Sequence, residues 1–193
     1  MGTTQPIKDL TELKNLENFY FETEKNLRNY AMICLGVNSI LRISDLLHLQ
    51  WGDVYDFSKQ TFLYHIVVRE QKTGKWTRIA LNNNAVLALN RYKESLEEIH
   101  AEDFLFPGKE KHAPLSSRSQ AYRIIRHASD HLNLDKSISC HSLRKTFGYH
   151  AWKQGVSPVV LMDIYNHSSF HITKRYLGLD QEDKDSVFLQ INL

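Results

Sequence analysis

The stretch CHSLRKTFGYHAWKQG, residues 140–155, sets His141 and Arg144 three apart at the start of a helical pattern. That spacing puts an imidazole and a planar five-donor guanidinium on one face of a single turn, where together they could grip one phosphate. Alone, H-x-x-R describes equally well a capped helix with a surface arginine. A second arginine, Arg42 in LRISDLLHL, stands at another helix start, where an exposed ion pair with Asp45 is the ordinary alternative. His167 and His171 are spaced i, i+4 and could ligate zinc, but no H-E-x-x-H glutamate lies between them and no third ligand is evident. The acids Asp180, Glu182, Asp183 and Asp185 look like a metal cluster only in spelling, and a solvated tail is the simpler reading.

Helices must position most of these groups. Apolar residues recur at helical spacing over 9–21, 24–40 and 83–98, and RISDLLHL reads as a short helix capped at Ser44. TFLYHIVVRE and WTRIAL, joined by the Gly-containing QKTGK, read as a hairpin with Lys72 and Lys75 near its tip. FLFPG is a short extended piece, and SSRSQAYRIIRHASDHL opens a helix with serine caps at Ser116 and Ser117. The helix from His141 to Gln154 stops at Gly155, Ser157-Pro158 opens another, and a last short helix runs from Ser168 or Ser169 to Gly178. The expected class is α+β, mostly helical with one small antiparallel sheet, in a single domain over 1–193 with a tail from about 179. In that tail the acids make a stalk and Val187, Phe188, Leu189 and Ile191 an apolar patch too small to be a core.

The chain has 193 residues, 42% of them hydrophobic, and a net charge of +2. That suffices for one core, while no run approaches the roughly 18 apolar residues of a membrane span. The polar start lacks a secretory signal, so the expected address is the cytoplasm, at the nucleoid. Two cysteines, Cys34 and Cys140, offer no disulfide framework. The charge is unevenly spread. Lys59, Arg69, Lys72, Lys75, Arg78, Arg91 and Lys93 face one acid, Glu70, across the middle, whereas residues 9–24 carry five acids against Lys14. A basic middle suits a polyanion partner.

In order along the chain, Arg42 in LRISDLLHL, a lysine on the hairpin tip, HSLR and then NHSSFHITKRY resemble the catalytic domain of the tyrosine recombinase (phage integrase) family, from about residue 10 to 180. The resemblance implies as catalytic residues Arg42, Lys72, His141, Arg144, His167 and Tyr176, Lys72 being preferred to Lys75 for its K-T context. It implies no cofactor and no metal, in keeping with the lack of a G-x-x-x-x-G-K-[ST] loop. Double-stranded DNA would be the partner, bound by a homotetramer, with Arg69, Lys75, Arg78, Arg91 and Lys93 on its backbone. The sequence departs from the family in having Asn166 where glycine commonly precedes the second histidine, and asparagine also tolerates a left-handed backbone. The N-terminal helical domain that most members carry has no room before residue 20, so the expectation is either a fragment of a longer recombinase or a likeness to the short members such as the fimbrial invertases.

The implied reaction is strand cleavage and rejoining through a 3′-phosphotyrosine. Tyr176 would attack with help from His141. Arg42, Arg144 and His167 would stabilise the charge gathering on the phosphate oxygens, and Lys72 would protonate the departing 5′-oxygen. A DNA-binding accessory protein of the same fold without the reaction is the alternative.

Overall fold

A computed structural model describes residues 4–108 and 118–191. Asp9 accepts hydrogen bonds from the Thr11 and Glu12 amides and starts α1, Leu10–Asn18, which runs on as a wider π turn, Phe19–Thr23. Asn26 caps α2, Leu27–Val37, in which Asn29–Val37 are all buried. A helix apolar on every side belongs at the centre of a domain, and α2 lies there. Then follow α3, Ile43–Leu46, a short 3₁₀ turn, and the two-residue strands β1, Tyr55–Asp56, and β2, Thr61–Phe62. The pair β3, His65–Arg69, and β4, Trp76–Ala80, precedes α4, Asn83–Glu94, which packs along α2. Beyond it come α5, Arg118–His131, and α6, Cys140–Lys153. The chain closes with α7, Pro158–Ile164, α8, Phe170–Leu177, and α9, Gln181–Gln190.

The mostly helical α+β expectation holds. Four details differ. The apolar run from Thr61 is two strands, because Thr61–Phe62 turn back to pair with Tyr55–Asp56 around an Asp56 carboxylate that binds the Ser58 and Lys59 amides. Only β3 and β4 make the expected hairpin, with Val67 opposite Arg78 and Arg69 opposite Trp76. The cap of α3 is Arg42 rather than Ser44, which is buried inside the helix. The tail is no stalk: Asp180 forms a capping box with Asp183 and starts α9. Asp183 is buried there, with Lys8 and Lys153 each 3.0 Å away. In FLFPG, Phe104 bridges to Gln50, and the serines expected to cap α5 lie outside the described residues. No helix among the described residues is long and apolar enough to cross a membrane.

Two close approaches fix α6 and the end of α8. At Gly148 a Cβ would sit 2.6 Å from the Tyr165 hydroxyl oxygen, so only glycine admits that ring, whose hydroxyl donates to the Arg144 carbonyl at 2.7 Å. Gly178 ends α8 with φ +59°, and a side chain there would meet Pro6 at 2.7 Å.

Candidate active site

One cleft of about 580 Å³ is lined by Arg42, Lys72, His141, Arg144, His167 and Tyr176. They come from five places in the chain. Arg42 is the N-cap of α3, in extended backbone, with its carbonyl accepting the Asp45 and Leu46 amides. Its carboxylate partner is Glu70, with Nη1 2.6 Å from Oε2, while Asp45 instead accepts the Gln71 amide at 3.0 Å. Lys72 lies in the exposed turn between β3 and β4, where Gly74 takes φ +68°. Ser139 caps α6 by a capping box with Ser142, which brings His141 and Arg144 to the first turns of that helix. After α7, Asn166 adopts φ +54°, the left-handed conformation expected of it, and His167 then donates its amide to the Met162 carbonyl. Tyr176 is in the last turn of α8.

Arg144 is 1% exposed. Its Nη1 donates to the Ile40 carbonyl and Nη2 to the Tyr165 carbonyl, its guanidinium lies 4.9 Å from the Tyr165 ring centre, and Nε is buried without a protein partner. A guanidinium held by main-chain carbonyls keeps its full charge. It stands near a helix N-terminus whose first turn contains no acid, where backbone N–H groups already favour an anion. Burying that charge without a direct carboxylate is unfavourable unless a negative ligand completes it.

The aromatic groups interlock. The Tyr176 ring meets His167 edge to face at 4.3 Å and His141 at 4.9 Å, so the phenol ring packs against both imidazoles. Burial, then the charges of Lys145, Arg144, Arg42 and Lys72, hold His141 down at about 4. Burial with Arg144 and Arg42 lowers His167 to about 4 as well, and its Nδ1 shares a 3.0 Å hydrogen bond with the Thr173 hydroxyl. Both imidazoles are therefore neutral at pH 7, able to accept a proton or to donate an N–H. Arranged so, the cleft presents a phenol, a neutral base, three N–H donor groups and an ammonium to one anionic ester.

The description of the phage integrase family fits residues 9–183. The chain belongs to that family. The integrase-family chain is 36% identical over 97% of both lengths to the probable integrase/recombinase YoeC of Bacillus subtilis. It is 32% identical to a tyrosine recombinase of Pseudothermotoga lettingae, matching 92% of its own length and 58% of that relative. Among solved structures, XerA recombinase superposes with a TM-score of 0.77 over 97% of this chain and 64% of that one at 21% identity. Family model and relatives agree on that membership, and the chain spans little more than half the length of the Pseudothermotoga recombinase.

Other expected contacts are distributed unevenly. Arg69, Lys75 and Arg78 are exposed on the same hairpin as Lys72; Arg69 Nε donates to the Gly74 carbonyl and Arg78 bonds His65. Arg91 is elsewhere, stacked on Phe21 at 4.5 Å and donating to the Tyr30 hydroxyl in a second cleft lined by α1, α2, α4 and α6. Lys93 lies over the Tyr55 ring. Neither lines the site. Sequence reasoning missed Arg118 and Tyr122 of α5, which line the cleft one turn apart, although their i, i+4 spacing on the polar face of that helix was readable. Among the described residues no three His, Cys, Asp or Glu side chains group as a metal site.

Proposed function

We propose that this chain cleaves and rejoins double-stranded DNA through Tyr176. The observation that carries the reading is the packing of the Tyr176 ring against two neutral imidazoles in the cleft that also holds Arg42, Arg144 and Lys72. The Tyr176 oxygen attacks the scissile phosphorus while His141 takes the phenolic proton. Arg42, Arg144 and a His167 N–H bind the non-bridging oxygens more tightly as their charge grows. The bond to the 5′-oxygen breaks, and Lys72 supplies its proton. A 3′-phosphotyrosine remains, and a 5′-hydroxyl of another strand reverses the step, so bond energy is retained without a nucleotide.

The hairpin cations Arg69, Lys75 and Arg78 bind the phosphate backbone beside the cleft. Protomers assemble as a tetramer on DNA through the end of α9, where Phe188 and Leu189 are about four-fifths exposed. The deciding experiment is denaturant-resistant adduct formation on a nicked site. Tyr176→Phe removes only a hydroxyl, so fold and DNA affinity should persist while the adduct disappears; an adduct mapped by mass spectrometry to another residue overturns the assignment.

A further inference from the structure

Glu70 is the lone acid in the basic middle of the chain, and it is 3% exposed. A solvated counter-charge would lie at the surface; this carboxylate is buried at the base of the turn that carries Lys72. Its Oε2 takes two partners at once, Arg42 Nη1 at 2.6 Å and the Thr73 hydroxyl at 2.6 Å. The Glu70 backbone adds two more bonds, accepting the Gly74 amide at 2.8 Å and donating to the Lys75 carbonyl at 2.9 Å. The neighbouring Gln71 amide is held by Asp45 of α3. Burial alone would push the Glu70 carboxyl up, but the Thr73 hydroxyl and the Arg42 guanidinium outweigh it and hold the group below the ordinary carboxylate range.

We infer that Glu70 is a positioning residue for Lys72: its carboxylate ties the hairpin turn, through Thr73, to the Arg42 end of α3 and so sets where the lysine ammonium stands in the cleft. The physical need is plain. Lys72 has a four-carbon stem on an exposed turn, and proton delivery to a departing oxygen requires the donor within hydrogen-bond reach at the moment the bond breaks. A turn free to swing would meet that geometry only part of the time. Because a single oxygen holds both arms, the link between turn and α3 is one atom long.

This inference rests on Lys72 being the proton donor, and the experiment separates the two. Single-turnover cleavage is measured on an ordinary site and on one whose scissile 5′-oxygen is replaced by sulfur. A thiol has a pKa of about 8.5, so a thiolate departs without a proton and the general acid becomes dispensable. Lys72→Ala should lose about 10²–10⁴-fold on the oxygen substrate and recover to within about tenfold on sulfur. Glu70→Ala should lose about 10–100-fold on oxygen and recover in part on sulfur, because the placed donor is then dispensable while Arg42 still lacks its carboxylate. Thr73→Val, which cuts only the hairpin arm and leaves the Arg42 pair, should lose less and recover likewise; it decides the matter if Glu70→Ala does not fold. Glu70→Ala and Thr73→Val equally slow on both substrates while Lys72→Ala recovers would overturn the positioning role and leave the proton donor standing. Failure of Lys72→Ala itself to recover would remove the donor assignment and the inference with it.

Discussion

Arg144 is both a support of the fold and, in the proposed reaction, a donor to the phosphate. Two of its donors are committed to the Ile40 and Tyr165 carbonyls, and Nε is left without a protein partner. Lysine would keep a charge but lose the planar fork that serves both tasks. Arg144→Lys is expected to reduce cleavage by about 10²–10³-fold, the usual cost of one such donor, in single-turnover assays on protein shown by circular dichroism to be folded. Near wild-type cleavage would mean that Arg144 does not stabilise the charge on the phosphate oxygens. The histidines make a second prediction at this scale. A histidine in an unfolded chain titrates near 6.5, whereas His141 and His167 are held at about 4. Between those values the unfolded chain binds protons that the folded one refuses, so stability falls as pH drops through about 6.5 to 4. Thermal unfolding of DNA-free protein should show that slope, and His141→Gln should flatten it; an unchanged slope would mean that other groups govern acid stability.

At the scale of elements, the site depends on how α6 meets the end of α7. Gly148 allows the Tyr165 ring to lie against α6, and Tyr165 in turn supports Arg144 with its carbonyl and its ring face. Gly148→Ala should overpack this contact at a cost of about 1–3 kcal/mol, or a fall of about 2–12 °C in the unfolding midpoint for a chain of this size. Cleavage should fall too, since Arg144 moves with Tyr165. The β3–β4 hairpin carries a different expectation. Its cations are exposed at the surface, whereas Arg91 is occupied by Phe21 and Tyr30. Replacing Arg69, Lys75 and Arg78 together by alanine should lower the salt dependence of DNA affinity by about 0.9 for each phosphate that is no longer neutralised. Arg91→Ala should leave that slope unchanged and lower stability instead.

Across the whole molecule, the C-terminal helix is attached at one end and unsupported at the other. Asp183 is clasped by Lys8 and Lys153, and these partners overcome the effect of burial to hold its carboxyl at about 2. Val187, Phe188, Leu189 and Ile191 are exposed beyond it. A chain ending at Ser186 keeps the clasp, and so should fold and bind a single site. It should lose cooperative assembly and strand exchange, measured by band shift and recombination assay. Unaltered tetramer formation would assign these apolar residues no part in assembly.

The residues that line the cleft were legible through the resemblance to the tyrosine recombinase family, because a family's motifs keep their order along the chain however the chain packs. Some helix ends were legible because their signals are local: Ser157-Pro158 and the Gly178 stop act within a turn or two. Asn166 was readable as a left-handed residue because that preference belongs to its own side chain. What only the tertiary structure decided are facts joining distant segments. Arg42 chose Glu70, 28 positions away, over its helical neighbour Asp45 because the hairpin folds onto α3. Asp183 became a buried anchor instead of part of a stalk because Lys8 and Lys153 arrive from the other end of the chain and from α6. Arg91 and Lys72 are both cations in one basic stretch, yet one packs on aromatic rings and the other enters the cleft. Charge along a sequence carries no direction; the packing of α4 against α2, and of the hairpin against α3, assigns it.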